Sequence, residues 1–146
     1  MRRREFIALL GGATAMWPLS PHAQQPAMPV VGFLHPSSQA YNPQLVGAFR
    51  EGLKETGYVE GQNFVIEYRW GDDHVDRVPA LAADLVGRQV AVLVTVGHEP
   101  AFAAKAATSS IPVLFIVGAD PVKLGLVSSF ARPGGNLTGV NIITTE

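Results

Sequence analysis

Val90-Ala91-Val92-Leu93-Val94-Thr95-Val96 is apolar on both faces of a strand. Such a strand needs helices above and below it, as the inner strands of a parallel sheet have. Upstream, Val78, Leu81, Ala82, Leu85 and Val86 fall on one side of a helix. Downstream, Ala101 to Ala107 reads as a short alanine-rich helix, and Ile111-Pro112-Val113-Leu114-Phe115-Ile116-Val117 as another apolar strand. Nearer the N-terminus, Val30-Val31-Gly32-Phe33-Leu34 is a strand bounded by Pro29 and His35-Pro36. Leu45, Val46, Phe49 and Leu53 then form the apolar side of a helix that Gly57 ends. Residues Asn63 to Trp70 alternate only in part, which places that strand near the sheet edge. Beyond the fourth strand, Pro121 suits the first turn of a further helix running to Val127. Pro133-Gly134-Gly135-Asn136 is a turn and Leu137-Thr138-Gly139-Val140-Asn141 a last strand. The order β-α-β-α-β-α-β-α-β predicts an α/β fold: a doubly wound parallel five-stranded sheet in the order 2-1-3-4-5.

In such sheets ligands sit outside the carboxyl ends of the strands, at the switch point between strands 1 and 3. Three loops reach that edge: His35-Pro36-Ser37-Ser38-Gln39, Gly97-His98-Glu99-Pro100 and Gly118-Ala119-Asp120-Pro121. Each is expected to lead into a helix whose free N–H groups could receive a carboxylate. Ser37 and Ser38 could add hydroxyl donors, but either also suits the cap of the first helix. Asp120 before Pro121 reads first as a helix cap and second as a ligand contact. Two lone histidines on separate loops, His35 and His98, are weak grounds for a metal site, and none is expected. Tyr68 and Trp70 either line the cleft or cover the sheet edge, and Asp72-Asp73-His74 reads as a solvated loop.

Missing motifs narrow the function further. The first loop lacks G-x-G-x-x-G, and the chain has no G-x-x-x-x-G-K-[ST] and no G-x-S-x-G. The third strand ends in Val96-Gly97-His98, without the aspartate of a phosphoacceptor receiver. With no nucleophile–base pair, enzyme chemistry has little to rest on. The chain has no cysteine, which excludes disulfides and thiolate catalysis. No basic stripe suggests nucleic acid, and no cofactor is implied.

The N-terminus reads as an export signal. Met1-Arg2-Arg3-Arg4-Glu5-Phe6-Ile7 opens a basic segment, and the 14 apolar-rich residues from Phe6 to Leu19 follow. That run is short for a bilayer core of roughly 30 Å. Arg3-Arg4-Glu5-Phe6-Ile7 is similar to the twin-arginine pattern. Cleavage after Ala23 is expected, giving residues 1–23 as signal, 24–29 as linker and 30–146 as one domain. Without residues 1–23 the chain has 8 basic and 11 acidic residues, a net charge of −3.

Several blocks together carry a family resemblance. They are Pro29-Val30-Val31-Gly32-Phe33-Leu34, the run from Phe49 to Asn63, Ile66-Glu67-Tyr68-Arg69-Trp70 and Leu81-Ala82-Ala83-Asp84-Leu85-Val86. The run from Ala119 to Val127 and that from Arg132 to Val140 complete the set. The sequence resembles the ABC-transporter substrate-binding proteins of the tryptophan/tyrosine-binding-like family over nearly its whole length. The resemblance implies an exported, periplasmic binding protein with the type I periplasmic binding fold, two lobes around a cleft, and no enzymatic activity. It would hand a small solute such as an aromatic amino acid to ABC permease subunits in the membrane. Its pattern places ligand contacts at Ser37, Ser38, Gly97, His98 and Asp120, the loops already singled out. The sequence stops at Thr144-Thr145-Glu146, where the family continues into a second lobe, so an N-terminal lobe alone, a truncated fragment, is expected. The alternative is a single-domain exported protein-interaction module without transport activity; an exported enzyme ranks third.

Overall fold

The computed structural model describes residues 27–143. The expected export signal, the first half of the linker and residues 144–146 lie outside the described residues. The chain runs β1 (Val30–His35), α1 (Pro43–Glu55), β2 (Val65–Trp70), a short 3-10 turn (Val75–Arg77), α2 (Val78–Gly87), β3 (Val92–Val96), α3 (His98–Ala107), β4 (Val113–Val117) and β5 (Leu137–Asn141). The five strands form one sheet in the order β2-β1-β3-β4-β5, all neighbours parallel. This is the predicted topology, with β2 at an edge and the switch point between β1 and β3.

The two faces of the sheet differ in how they are covered. On one, Leu34, Leu93, Val113, Phe115, Val117 and Leu137 pack with Val78, Ala82 and Leu85 of α2 and Ala101 and Ala104 of α3 in a continuous core. Gly32 permits the close approach of α2, since a Cβ there would lie 3.1 Å from Leu93 Cδ1 and 3.4 Å from Leu85 Cδ1. On the other face Phe33 is the hub. Its ring centroid lies 5.5 Å from Phe49 of α1, 5.6 Å from Tyr68 and 5.9 Å from Trp70. Tyr68 and Trp70 are stacked at 6.0 Å. Both therefore pack over the β1–β2 edge of the sheet rather than standing free. Helix α1 has no fully buried residue, so it covers this face more loosely than α2 and α3 cover theirs. Gly57, at φ +94°, ends it, with its N–H donating to the Lys54 carbonyl.

One expected element is absent. Residues 121–125 form turns, not a helix. The Leu126 N–H reaches back to the Pro121 carbonyl at 2.9 Å, and Gly125 takes φ +75°. The Gly125 carbonyl receives the ammonium of Lys105 from α3. A residue in the left-handed region interrupts the helical repeat after one turn, and this tie to α3 meets the carbonyl exposed there.

Candidate functional site

Backbone bonding builds the carboxyl edge of the sheet. The loop after β1 is tied to the turn after β2 by three hydrogen bonds. Gly71 N–H donates to the His35 carbonyl at 2.8 Å, Asp73 N–H to Pro36 at 3.0 Å and Asp72 N–H to Ser37 at 3.4 Å. Asp72 and Asp73 take φ +52° and +61° to do so. Gly71 leaves no room for a side chain, because a Cβ there would lie 2.4 Å from the Pro36 carbonyl oxygen. The Asp72-Asp73-His74 loop is exposed, as expected, yet its backbone fixes the neighbouring loop.

Ser37 and Ser38 are half-buried in that loop. The cap reading for them is corrected: α1 begins at Pro43, and Asn42 caps it, its side-chain oxygen accepting from Leu45 N–H at 3.1 Å. The Ser37 amide is engaged elsewhere, donating to Nδ1 of His35 at 3.0 Å. His35 is 6% exposed, and its ring lies 5.4 Å from that of Trp70. Burial lowers its pKa below the ordinary value, and the Asp73 carboxylate partly opposes this.

Gly97 follows β3 at φ +91° and precedes the first residue of α3. Its N–H donates to the Ile116 carbonyl at 2.8 Å. A Cβ built on it would lie 3.7 Å from Pro36 Cγ, so the β1 and β3 loops meet here. His98 is exposed, with Nε2 3.1 Å from Glu99 Oε1. Glu99 already offers a negative charge to the α3 N-terminus. Asp120 lies in the loop after β4, three residues beyond Val117, half-buried, its Oδ1 accepting from Val122 N–H at 2.9 Å and Lys123 N–H at 3.3 Å. The expectation that all three loops open helices therefore holds for two. At Asp120 the free N–H groups belong to a turn and are met by the carboxylate itself. Asp72, Asp73, Glu99 and Asp120 place carboxylates along this edge, with Asp72 paired to Arg77 at 3.3 Å. Among the described residues, no three His, Asp or Glu side chains gather to hold a metal ion.

Sequence reasoning weighed His35 only as a metal ligand and did not single out Asn141. Burial and a ring-to-amide bond single out His35, and neither is visible in a lone histidine after an apolar run. Asn141 ends β5 with its buried Oδ1 lacking a hydrogen-bond partner. It lines a cavity of about 430 Å³ with Phe115, Pro121, Val127 and Phe130. In the sequence it reads only as a polar residue closing a strand.

The model of the ABC transporter substrate binding protein family matches residues 31–145. The chain belongs to this family. It is 30% identical over 93 residues to the tyrosine-binding protein of Clostridioides difficile strain R20291, covering 64% of this chain and 27% of that protein. The ligand-free, open structure of a substrate-binding protein with adhesive properties from Clostridium difficile superposes with a TM-score of 0.74. It is 23% identical, over 80% of this chain and 40% of that one, and bears on the fold alone. A Streptococcus pneumoniae ABC domain solved with L-Trp gives a TM-score of 0.72 at 25% identity, over 79% of this chain and 39% of that one. The sequence thus spans about a quarter of the curated relative and two-fifths of these solved structures.

Proposed function

We propose that this chain forms the first lobe of an extracytoplasmic solute receptor for an ABC import system, and that its solute is a zwitterion, an aromatic amino acid. The observation carrying this reading is the meeting of the β1 and β3 loops at Pro36 and Gly97, on the carboxyl edge of the sheet that the loop after β4, with Asp120, also follows. In this reading Asp120 takes the solute's amine. The hydroxyls of Ser37 and Ser38 take its carboxylate, with Gly97 allowing close approach and His98 bordering the pocket. A carboxylate alone would meet repulsion from Asp120 and Glu99, whereas a zwitterion meets both kinds of partner. The similarity to a tyrosine-binding protein and to a domain solved with L-Trp supports the aromatic choice. Membrane permease subunits are the partners this role requires.

One lobe supplies about half of a closed pocket, while pockets bury roughly 70–90% of a small ligand. Affinity for the chain by itself is therefore expected near the millimolar range. A loss of about 4 kcal/mol takes a micromolar Kd there. Calorimetry with L-tyrosine and with tyramine, its decarboxylated amine, tests the reading. L-tyrosine should bind weakly and tyramine more weakly still. Equal binding of the two would overturn the zwitterion assignment.

A further inference from the structure

We propose that His35 is the positioning residue for Ser37 in the β1 loop and that protonation of its ring unlatches the Ser37 amide. The carbonyls of His35, Pro36 and Ser37 are all held by backbone N–H groups of the turn after β2. None of those ties titrates. The Ser38 carbonyl accepts from Tyr41 N–H at 3.1 Å, and the one tie to a titratable group is the Ser37 N–H to Nδ1 bond at 3.0 Å. An accepting Nδ1 carries no proton, so the neutral ring holds its hydrogen on Nε2. A second proton must go to Nδ1, where it faces the Ser37 N–H, donor against donor, and the bond is lost.

The ring has little freedom to turn away. It is 6% exposed, lies 5.4 Å from the Trp70 ring, and stacks at 6.5 Å on Phe33. The relief available is movement of Ser37. The charged groups around the ring are few. Asp73, in the turn after β2, is the carboxylate that acts on it. β2 presents Trp70 and Tyr68, β1 presents Phe33, and α1 presents Phe49 over the same aromatic cluster; burial raises the Tyr68 hydroxyl's pKa, so it too is uncharged over this range. Beside Leu34, β3 places Thr95 and then Val96. Burial outweighs Asp73, so release comes below the ordinary histidine range.

Ser37 and Ser38 are the proposed carboxylate donors, so solute affinity should fall as the latch opens. That consequence rests on the proposed function, whereas the latch does not. The test is NMR on the nitrogen-15-labelled chain from pH 8 to pH 4.5. At pH 8 the His35 ring should be the Nε2–H tautomer. Exchange protection of the Ser37 amide, corrected for intrinsic pH dependence, should fall about two- to tenfold with the His35 midpoint. His35→Asn, whose Oδ1 can replace Nδ1 as acceptor, should keep that protection at every pH; His35→Phe should lack it throughout. An Nδ1–H tautomer at pH 8, or Ser37 protection that ignores His35 titration in the unmodified chain, overturns the latch. L-tyrosine added at each pH separates the two ideas. A titrating latch with L-tyrosine shifts only outside residues 35–38 leaves the latch standing and overturns the solute role of Ser37 and Ser38.

Discussion

Gly71 and Gly52 show how two residues of one type answer to different constraints. A Cβ on Gly71 would press on the Pro36 carbonyl, which is backbone and cannot swing aside. Gly71→Ala should therefore destabilise the chain by at least about 1–3 kcal/mol. Gly52 lies inside α1 with nothing within 4 Å of a built Cβ. Gly52→Ala should stabilise by roughly 0.5–1 kcal/mol through helix propensity. Urea unfolding measures both, and equal effects would contradict the geometry. Histidine and aspartate set the pH response. Burial holds the folded His35 below its ordinary 6.5, so the unfolded chain takes up that proton first. Stability is then full above about pH 6.5 and declines as pH falls through the folded value. The hydrogen bond from Arg69, first among its causes, lowers Asp84 below 3.8. Its contribution is present above that value and is lost as pH falls through the lower folded one. Urea midpoints from pH 8 to 3 should show the upper step in the unmodified chain and lack it in His35→Asn. A flat response between pH 7 and 5 would contradict the His35 assignment.

The helices are held unequally, and mutations should show it. Leu85 of α2 is fully buried between Gly32 and the β3 side of the core. Leu85→Ala should cost about 2–5 kcal/mol. Phe49 of α1 is half-buried, so Phe49→Ala should cost less than the roughly 3–5 kcal/mol of a buried phenylalanine. Amide exchange should accordingly be faster in α1 than in α2 and α3. Asn42→Ala, which removes the cap, should widen that gap by about 0.5–2 kcal/mol. The same inequality explains what the sequence revealed. β1, β3 and β4 were legible because Val31–Leu34, Val92–Val96 and Val113–Val117 are apolar on both faces, a pattern that only a covered parallel sheet satisfies. The apparent helix at Pro121 was not excluded by its own residues. The Lys105 bond to Gly125 that accompanies its early ending comes from α3. Asn42, five residues beyond Ser37, was the better cap, but loop length decides that, and composition does not reveal it. The Asp72-Asp73 turn depends on backbone atoms from β2 and β1 meeting, and the His35–Ser37 bond, though local, lies against Trp70 of β2; no local pattern encodes either meeting.

Taken whole, the chain combines its five-stranded sheet with a proposed export signal and a proposed binding edge. Residues 1–23 are proposed as the signal, so protein recovered outside the cytoplasm should begin near Gln24 by N-terminal sequencing. An intact Met1 there would contradict cleavage. Replacing Arg3 and Arg4 with Lys should stop export by the twin-arginine route; unchanged export would point to the general secretory route. The proposed solute site lies at the opposite extreme of scale, in five residues on three loops. Its proposed location comes from topology, since β1 and β3 flank the switch point. The chemistry of the solute was not legible, because the sequence spans only about two-fifths of the solved structures it resembles. The most direct test is an NMR titration of the chain with L-tyrosine and, separately, with tyramine. The account predicts L-tyrosine shifts at Ser37, Ser38, Gly97, His98 and Asp120, with tyramine reaching Asp120 but sparing the serines. Shifts confined to Asp72–His74 or to Val140–Ile143 would contradict it.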